Sequence, residues 1–242
     1  EVGDVMTGES TGVVVESKSD KYKVGDRVAA HMGWQTYIVA NADDPRLMPV
    51  DLDNGTLSAH IGVVGMPGRT AYFGLTDVGK PVAGETLVVA AASGAVGSVV
   101  GQIAKLKGLR AVGIAGGPDK CRYVKEELGF DDCIDYKAGN LAEELARACP
   151  DGIDVYFDNV GGDTLAAVTR NLALGARIVL CGMIEAYSMD TPPPGPWLGP
   201  IVGARATMSG LVVYDHMNRM PEMVKLISGW IRDGQFRYRE DV

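Results

Sequence analysis

No apolar run approaches the ~20 residues that cross a bilayer, and no charged-then-apolar leader opens the chain. Cysteine is sparse. Cys121, Cys133, Cys149 and Cys181 lack metal-ligand spacing, which argues for free thiols in a reduced, cytoplasmic protein. The three histidines, His31, His60 and His216, share no ligand spacing either, so each reads as a surface or packing residue. Positive charge is also short. With 23 Lys and Arg against 31 Asp and Glu, the net charge is −8, which excludes nucleic acid and anionic membrane as main partners. Internal repeats and low-complexity tracts are absent. What is present is 46% hydrophobic with 32 glycines, the composition of an α/β protein rich in tight strand–helix turns. Its 242 residues suffice for one large domain or two smaller ones.

The organising stretch is 86–101. Thr86–Ala91 is apolar enough for a buried strand, and it breaks into small residues before apolar positions resume at helical spacing. Val99, Val100, Ile103, Ala104 and Leu106 form the expected inner face of that helix. Between strand and helix, Ala92-x-Gly94-x-x-Gly97 occupies the place of the dinucleotide fingerprint G-x-G-x-x-G. Gly94 lets backbone approach a pyrophosphate, Gly97 lets helix pack on strand, and the N–H groups opening the helix receive the negative charge. Ala92 replaces the first glycine. The bland alternative is a strand–turn–helix with small packing residues.

Residues 1–60 read as short strands between Gly, Asp and Asn turns: Ser10–Ser17, a turn at Tyr22–Val28 feeding a second, and Gln35–Ala40 as a third. They predict a small antiparallel barrel or sandwich that packs on the rest of the chain. A short helix at 56–62 precedes another that begins at Met66-Pro67. Strand-like runs then recur at 86–91, 110–115, 132–135, 153–158, 176–181 and 207–213, with helices at 98–107, 119–128, 140–148 and 162–172. That alternation predicts a doubly wound, six-stranded parallel sheet, a Rossmann α/β fold. Met189–Pro200, with five prolines, is an expected loop, a lid or subunit contact. A helix at Met220–Arg232 and a tail at 236–242 close the sequence.

The second strand of the sheet ends in Gly116-Gly117 with no carboxylate at its tip, where an NAD site places Asp or Glu against the ribose. Lys120 comes next, with Arg122 and Tyr136 as companions. An ammonium attracts a 2′-phosphate that a carboxylate repels, so the expected cofactor is NADPH. Asp119 as ribose ligand, and Lys120 as a merely solvated residue, stay open as alternatives.

Four segments in order carry a resemblance: 65–74 (GMPGRTAYFG), 91–102 (AASGAVGSVVGQ), 157–162 (FDNVGG) and 181–184 (CGMI). The chain resembles the zinc-independent medium-chain dehydrogenase/reductases, in the branch of prostaglandin reductases, leukotriene hydroxydehydrogenases and curcumin reductases. The likeness runs from about Thr7 to about Tyr238. It implies a GroES-like barrel beside the Rossmann domain: residues 1–61 a partial barrel, 62–236 the cofactor domain, and 237–242 the start of a truncated return to the barrel. It implies reduction of a carbon–carbon double bond conjugated to a carbonyl, in a small enone or enal, by a cytoplasmic homodimer. By position, Lys120 and Tyr136 would hold the 2′-phosphate, and Gly94, Ala95, Val96 and Gly97 the pyrophosphate. Asn159 would lie near the adenosine side. Met66, Thr70, Cys181, Gly182, Met183, Ile184, Leu211 and Val213 would line the nicotinamide. Tyr187 is the candidate to hydrogen-bond the substrate carbonyl and relay a proton; its bland alternative is a structural tyrosine beside the proline-rich loop.

Arg69 stands where relatives often carry an apolar residue. Relatives also have barrel strands before the counterpart of Thr7 and a returning segment after that of Val242. Zinc alcohol dehydrogenases are the first rival, but Met66 stands where they place a ligating cysteine, and no metal site is expected. A quinone reductase of the same superfamily, and an NADPH-binding sensor or fragment without turnover, are the other readings. The edge strand 207–213, apolar, is expected to pair across the dimer.

Overall fold

The computed structural model describes residues 2–191, 193 and 195–240. The expected tail at 237–242 and the loop at 189–200 therefore fall partly outside the described residues, at Asp241, Val242, Pro192 and Pro194. The two sequence patterns form two sheets. In the first, β1 (Ser10–Val13), β2 (Arg27–Ala30) and β3 (Leu47–Pro49) are antiparallel in the order β1-β2-β3, with Ala29 opposite both Thr11 and Met48.

Gln35–Ala40, expected as the third strand, is not one. Its alternation has no neighbouring strand to pair with, and Tyr37 and Val39 both face solvent. Period-two patterning makes a strand only where an edge accepts its backbone. That edge of β2 is taken by Leu47–Pro49.

The chain then enters α1 (Met66–Phe73), with Pro67 in its first turn, and continues in wider π-helical turns over Gly74–Gly79. Strand and helix alternate from there: β4 (Thr86–Ala90), α2 (Gly97–Leu106), β5 (Arg110–Ala115), α3 (Pro118–Glu126), β6 (Asp132–Asp135), α4 (Leu141–Ala148), β7 (Ile153–Asp158), α5 (Gly162–Thr169), β8 (Leu172–Leu180), α6 (Gly199–Ala204), β9 (Thr207–Gly210) and α7 (Met220–Arg232). The second sheet is parallel throughout, in the order β6-β5-β4-β7-β8-β9. Successive crossovers run outward from β4 to β6, then restart at β7 and run the other way. The strand order thus reverses between β4 and β7, where open α/β sheets leave a crevice at the strands' carboxyl ends.

β4 is buried on both faces. Leu87 and Val89 enter one core layer and Val88 and Ala90 the other, which is why its sequence is an unbroken apolar run. On α2, Val99, Val100, Ile103 and Ala104 are buried as expected, but Leu106 is 37% exposed. The helix packs through Gly101, where an added Cβ would lie 1.8 Å from the Phe130 ring. Leu106 lies about 140° round the helix from that contact.

Other boundaries moved for local reasons. α5 stops at Thr169 rather than 172, and β8 starts at Leu172 rather than 176. Its left-handed Gly175 (φ 78°) and a register shift opposite Ile153 and Val155 break the strand pattern there. The proline-rich loop ends in α6, with Pro200 in its first turn. The edge strand stops at Gly210; Leu211 N–H still donates to Leu180 O at 3.0 Å, and the chain then leaves in a 3₁₀ segment, Val213–Arg219. No described helix is long and apolar enough to cross a membrane.

Candidate active site

The crevice is floored by the β4–α2 turn. Ala91 is left-handed (φ 51°), a conformation that costs a residue with a Cβ roughly 1–2 kcal/mol. It turns its carbonyl under the loop to accept from Gly94 N–H at 2.9 Å. A Cβ on Gly97 would lie 2.3 Å from that same oxygen, so this position of the fingerprint requires glycine. Ala92 satisfies the first position because it is buried against β5, its N–H donating to Ile114 O at 3.0 Å. The strain that the fingerprint's first glycine would relieve sits one residue earlier. No side chain caps α2 at Val96; Ser98 and Val99 N–H donate to Gly94 O and Val96 O, which leaves the N–H groups of the preceding turn to meet an anionic group.

At the tip of β5, Gly116 forms a second cradle. A Cβ there would meet the Tyr136 ring at 2.8 Å, its hydroxyl at 3.0 Å and Lys137 Cε at 3.1 Å. Gly117 (φ 100°) donates its N–H to Asp135 Oδ1 at 2.8 Å, and Lys137 N–H donates to the same oxygen at 3.0 Å. Lys120 is exposed on the first turn of α3, with no hydrogen-bond or ion-pair partner among the described residues. Arg122 pairs with Asp119 instead, so each of these two satisfies the other. Lys137 was not anticipated; its place directly after Tyr136 was the available signal.

The wall opposite is stitched from β7 and β8. Asn159 Nδ2 donates to Ala90 O at 2.9 Å, closing β7 onto β4. The N–H groups of Cys181 and Gly182 both donate to Asp158 O, at 2.9 and 3.1 Å. The Asp158 side chain is buried; its Oδ1 accepts from Tyr156 Oη, Val160 N–H and Gly161 N–H, each at 2.9 Å, while Oδ2 has no partner. Burial raises the Asp158 carboxyl above its ordinary range against the pull of those donors. Burial likewise pushes the Cys181 thiol up to about 11, helped by Asp158. Cys181 is therefore a neutral wall residue at physiological pH, not a nucleophile.

From Cys181 the chain folds back on itself. Met183 N–H donates to Tyr187 Oη at 3.3 Å, and Ile184 N–H to Asn159 O at 3.3 Å. Tyr187 is 73% exposed, so its ring is held at one edge only and its O–H is left to donate. Met66 and Thr70 face each other across one turn of α1, with Thr70 Oγ1 donating to Met66 O at 2.8 Å. Leu211 reaches that helix at Gly74, where a Cβ would lie 2.7 Å from both Leu211 Cδ2 and Phe157 Cε2. Val213 opens the adjoining 3₁₀ segment.

The fold thus sets the expected loop residues at one end of one sheet, with Met66 and Thr70 on α1 and Val213 in the 3₁₀ segment beside it. Gly94–Gly97, Asn159, Cys181–Ile184 and Tyr187 surround the crevice, Lys120 and Tyr136 sit at the neighbouring β5 tip, and α1 supports Leu211. Among the described residues no three His, Cys, Asp or Glu side chains are grouped to hold a metal ion. His216 instead stacks on Phe73 at 4.9 Å, and His60 Nδ1 lies 2.8 Å from Thr56 O. Arg69 is the larger surprise: it is fully buried, and it pairs with Glu9 at 3.0 Å.

Two protein families match the chain: Zinc-binding dehydrogenase over residues 95–229 and N-terminal domain of oxidoreductase over residues 1–50. The NADPH-dependent curcumin reductase of Escherichia coli (strain K12) is 44% identical over 248 aligned positions, covering 100% of this chain and 71% of that protein. Prostaglandin reductase 1 of Rattus norvegicus is 43% identical, covering 98% of this chain and 73% of its own length. Among solved structures, CurA from Vibrio vulnificus in complex with NADPH superposes with a TM-score of 0.90 at 44% identity, covering 98% of this chain and 72% of that one.

Proposed function

We propose, from the premise that this chain belongs to the medium-chain dehydrogenase/reductase family, that it uses NADPH to reduce the carbon–carbon double bond of α,β-unsaturated ketones and aldehydes. The observation that carries the reading is the reversal of strand order between β4 and β7, the switch point at which open α/β sheets bind ligands. A glycine-lined anion cradle there meets a wall of neutral side chains and one exposed tyrosine hydroxyl. Residues 1–61 supply the substrate side and 62–236 the cofactor side.

The residues fit the cofactor: α2 opens without a side-chain cap, and Gly94 and Gly97 present only backbone in that turn. The opening turn of α2 and Gly94–Gly97 receive the pyrophosphate. Lys120, Tyr136 and Lys137 surround the place of a 2′-phosphate; of the two carboxylates there, Asp119 pairs with Arg122 and Asp135 Oδ1 accepts from the N–H groups of Gly117 and Lys137. NADPH, when bound, supplies the hydride for the substrate's β-carbon. Tyr187 accepts from Met183 N–H through its oxygen and so presents its own proton outward, toward a substrate carbonyl. That donation stabilises the enolate formed as the β-carbon is reduced, and the α-carbon then takes a proton from solvent water, relayed through the Tyr187 hydroxyl. Met66, Thr70, Cys181, Gly182, Met183, Ile184, Leu211 and Val213 hold the reacting ring, and the high pKa of Cys181 keeps a thiolate out of the enone's reach.

The test is nicotinamide absorbance with a medium-length aliphatic enone and NADPH or NADH in parallel. NADPH oxidation with a saturated ketone as product is expected. An allylic alcohol, or turnover with quinones and no enone, overturns the reading. In the same assay Lys120→Ala should weaken NADPH by about tenfold and leave NADH nearly unchanged, the loss of one charge-assisted contact of about 1.4 kcal/mol.

The assembly we propose is a cytoplasmic homodimer. β9 is an edge strand, and Trp197 (82% exposed) and Val202 (76% exposed) are large apolar side chains left open to solvent in the segment that precedes it. A monomeric mass at micromolar concentration would remove that part of the proposal.

A further inference from the structure

Arg69 heads the fully buried side chains by volume among the described residues, ahead of Tyr156 and Phe73. A guanidinium carries five N–H donors, and this one meets few acceptors. Its Nη2 pairs with Glu9 Oε1 at 3.0 Å, and its Nη1 lies 2.8 Å from the Met217 sulfur and 3.6 Å from that of Met220. Its Nε is buried without a partner. An ion pair so poorly completed is a net cost to folding when compared with a well-packed apolar pair. The offset lies in what the three contacts join.

Glu9 directly precedes β1 of the small sheet. Arg69 lies on α1 between Met66 and Thr70. Met217 belongs to the 3₁₀ segment entered from Leu211 and Val213. One side chain therefore ties the small sheet to both supports of the proposed nicotinamide wall. The 3₁₀ segment has a second anchorage, through Asp77 to His216 (3.4 Å) and to Arg219, so removing Arg69 loosens it without freeing it. Lys120 and Tyr136 lie at the β5 tip, and the hydrogen bonds and ion pair of Arg69 among the described residues go to Glu9, Met217 and Met220 instead.

We infer that Arg69, with Glu9, is a positioning residue for the nicotinamide half of the cleft and not for the adenosine half. The inference rests on the proposed NADPH site. It is tested without enone, so a protein that binds NADPH and never turns over leaves the test intact. The dissociation constants of NADPH and of adenosine 2′,5′-bisphosphate, which occupies the adenosine half alone, are measured for wild type, Arg69→Leu, Glu9→Gln and the double variant, alongside ligand-free thermal unfolding. In Arg69→Leu and in Glu9→Gln, NADPH should weaken by about tenfold, the scale of one mispositioned contact, while the bisphosphate binds as before. The double variant should regain much of the melting temperature, because no unpaired Glu9 charge is left buried, yet keep the weakened NADPH affinity. Three results overturn the inference: both ligands weakening together, neither weakening in either single variant, or NADPH affinity returning with the melting temperature. Wild type that binds neither ligand overturns the cofactor reading itself.

Discussion

Gly97→Ala is expected to weaken NADPH by about 100-fold, or about 2.8 kcal/mol of binding. It should also lower the melting temperature by about 6 °C, or about 2 kcal/mol for a chain of this size. The added Cβ would lie 2.3 Å from Ala91 O, 2.9 Å from Ala91 C and 2.9 Å from Ala92 Cα, and all three atoms are backbone. None can swing aside as the end of a side chain would. The turn itself must shift, and with it the Gly94 N–H bond to Ala91 O and the opening of α2. Alanine's better helix propensity offsets little, because Gly97 is the first residue of the helix. Gly203→Ala in α6 is the control. Nothing lies within 4 Å of a Cβ there, and φ is not left-handed, so stability should hold or rise slightly and NADPH should bind as before. Isothermal titration and thermal unfolding separate the two. Gly97→Ala with wild-type NADPH affinity would mean the pyrophosphate does not sit on this turn.

The residues around that turn were legible because one sequence pattern encodes both the strand and the helix it joins. β4 is apolar from Leu87 to Ala90 because both of its faces are covered, and the sequence breaks into small residues at 91–97. The same logic misled at Gln35–Ala40, where alternation is present but the adjoining edge of β2 already holds Leu47–Pro49. Pairing is a long-range property, and local periodicity does not carry it. Ala92 looked like a flaw in the fingerprint, yet the left-handed turn is taken at Ala91, a shift of one residue that no composition rule contains. The β5 tip reads as free of carboxylate in sequence beside Lys120 and Tyr136, whereas Asp135 Oδ1 accepts from Gly117 N–H there at 2.8 Å, a contact that depends on where β6 ends. Lys137 was not legible, because its approach to Gly116 depends on how β6 ends. Arg69 was visible as an odd residue, but its partner is Glu9, 60 positions away in sequence.

Asp158→Ala should destabilise the protein by about 3 kcal/mol, while Asp158→Asn should match or exceed wild-type stability at neutral pH. One oxygen carries the difference. Oδ1 is the acceptor for Tyr156 Oη, Val160 N–H and Gly161 N–H, so alanine leaves three donors without a partner in a buried turn, at roughly 1 kcal/mol or more each. Asparagine keeps that oxygen and places an amide where the unpartnered Oδ2 now lies, trading three charge-assisted bonds for neutral ones and removing the cost of a buried charge. The pH dependence distinguishes the two effects. Because burial raises the folded-state pKa of Asp158 above its ordinary 3.8, the native protein holds this proton more tightly than the unfolded chain. The stability this confers is fully present below the unfolded value and is lost as pH rises through the folded value. Asp158→Asn should therefore flatten the fall in stability over that window, as read by urea denaturation at a series of pH values. An unchanged slope would mean that the carboxylate is already relieved by its three donors, and that the turn over the cleft is held by charge rather than in spite of it.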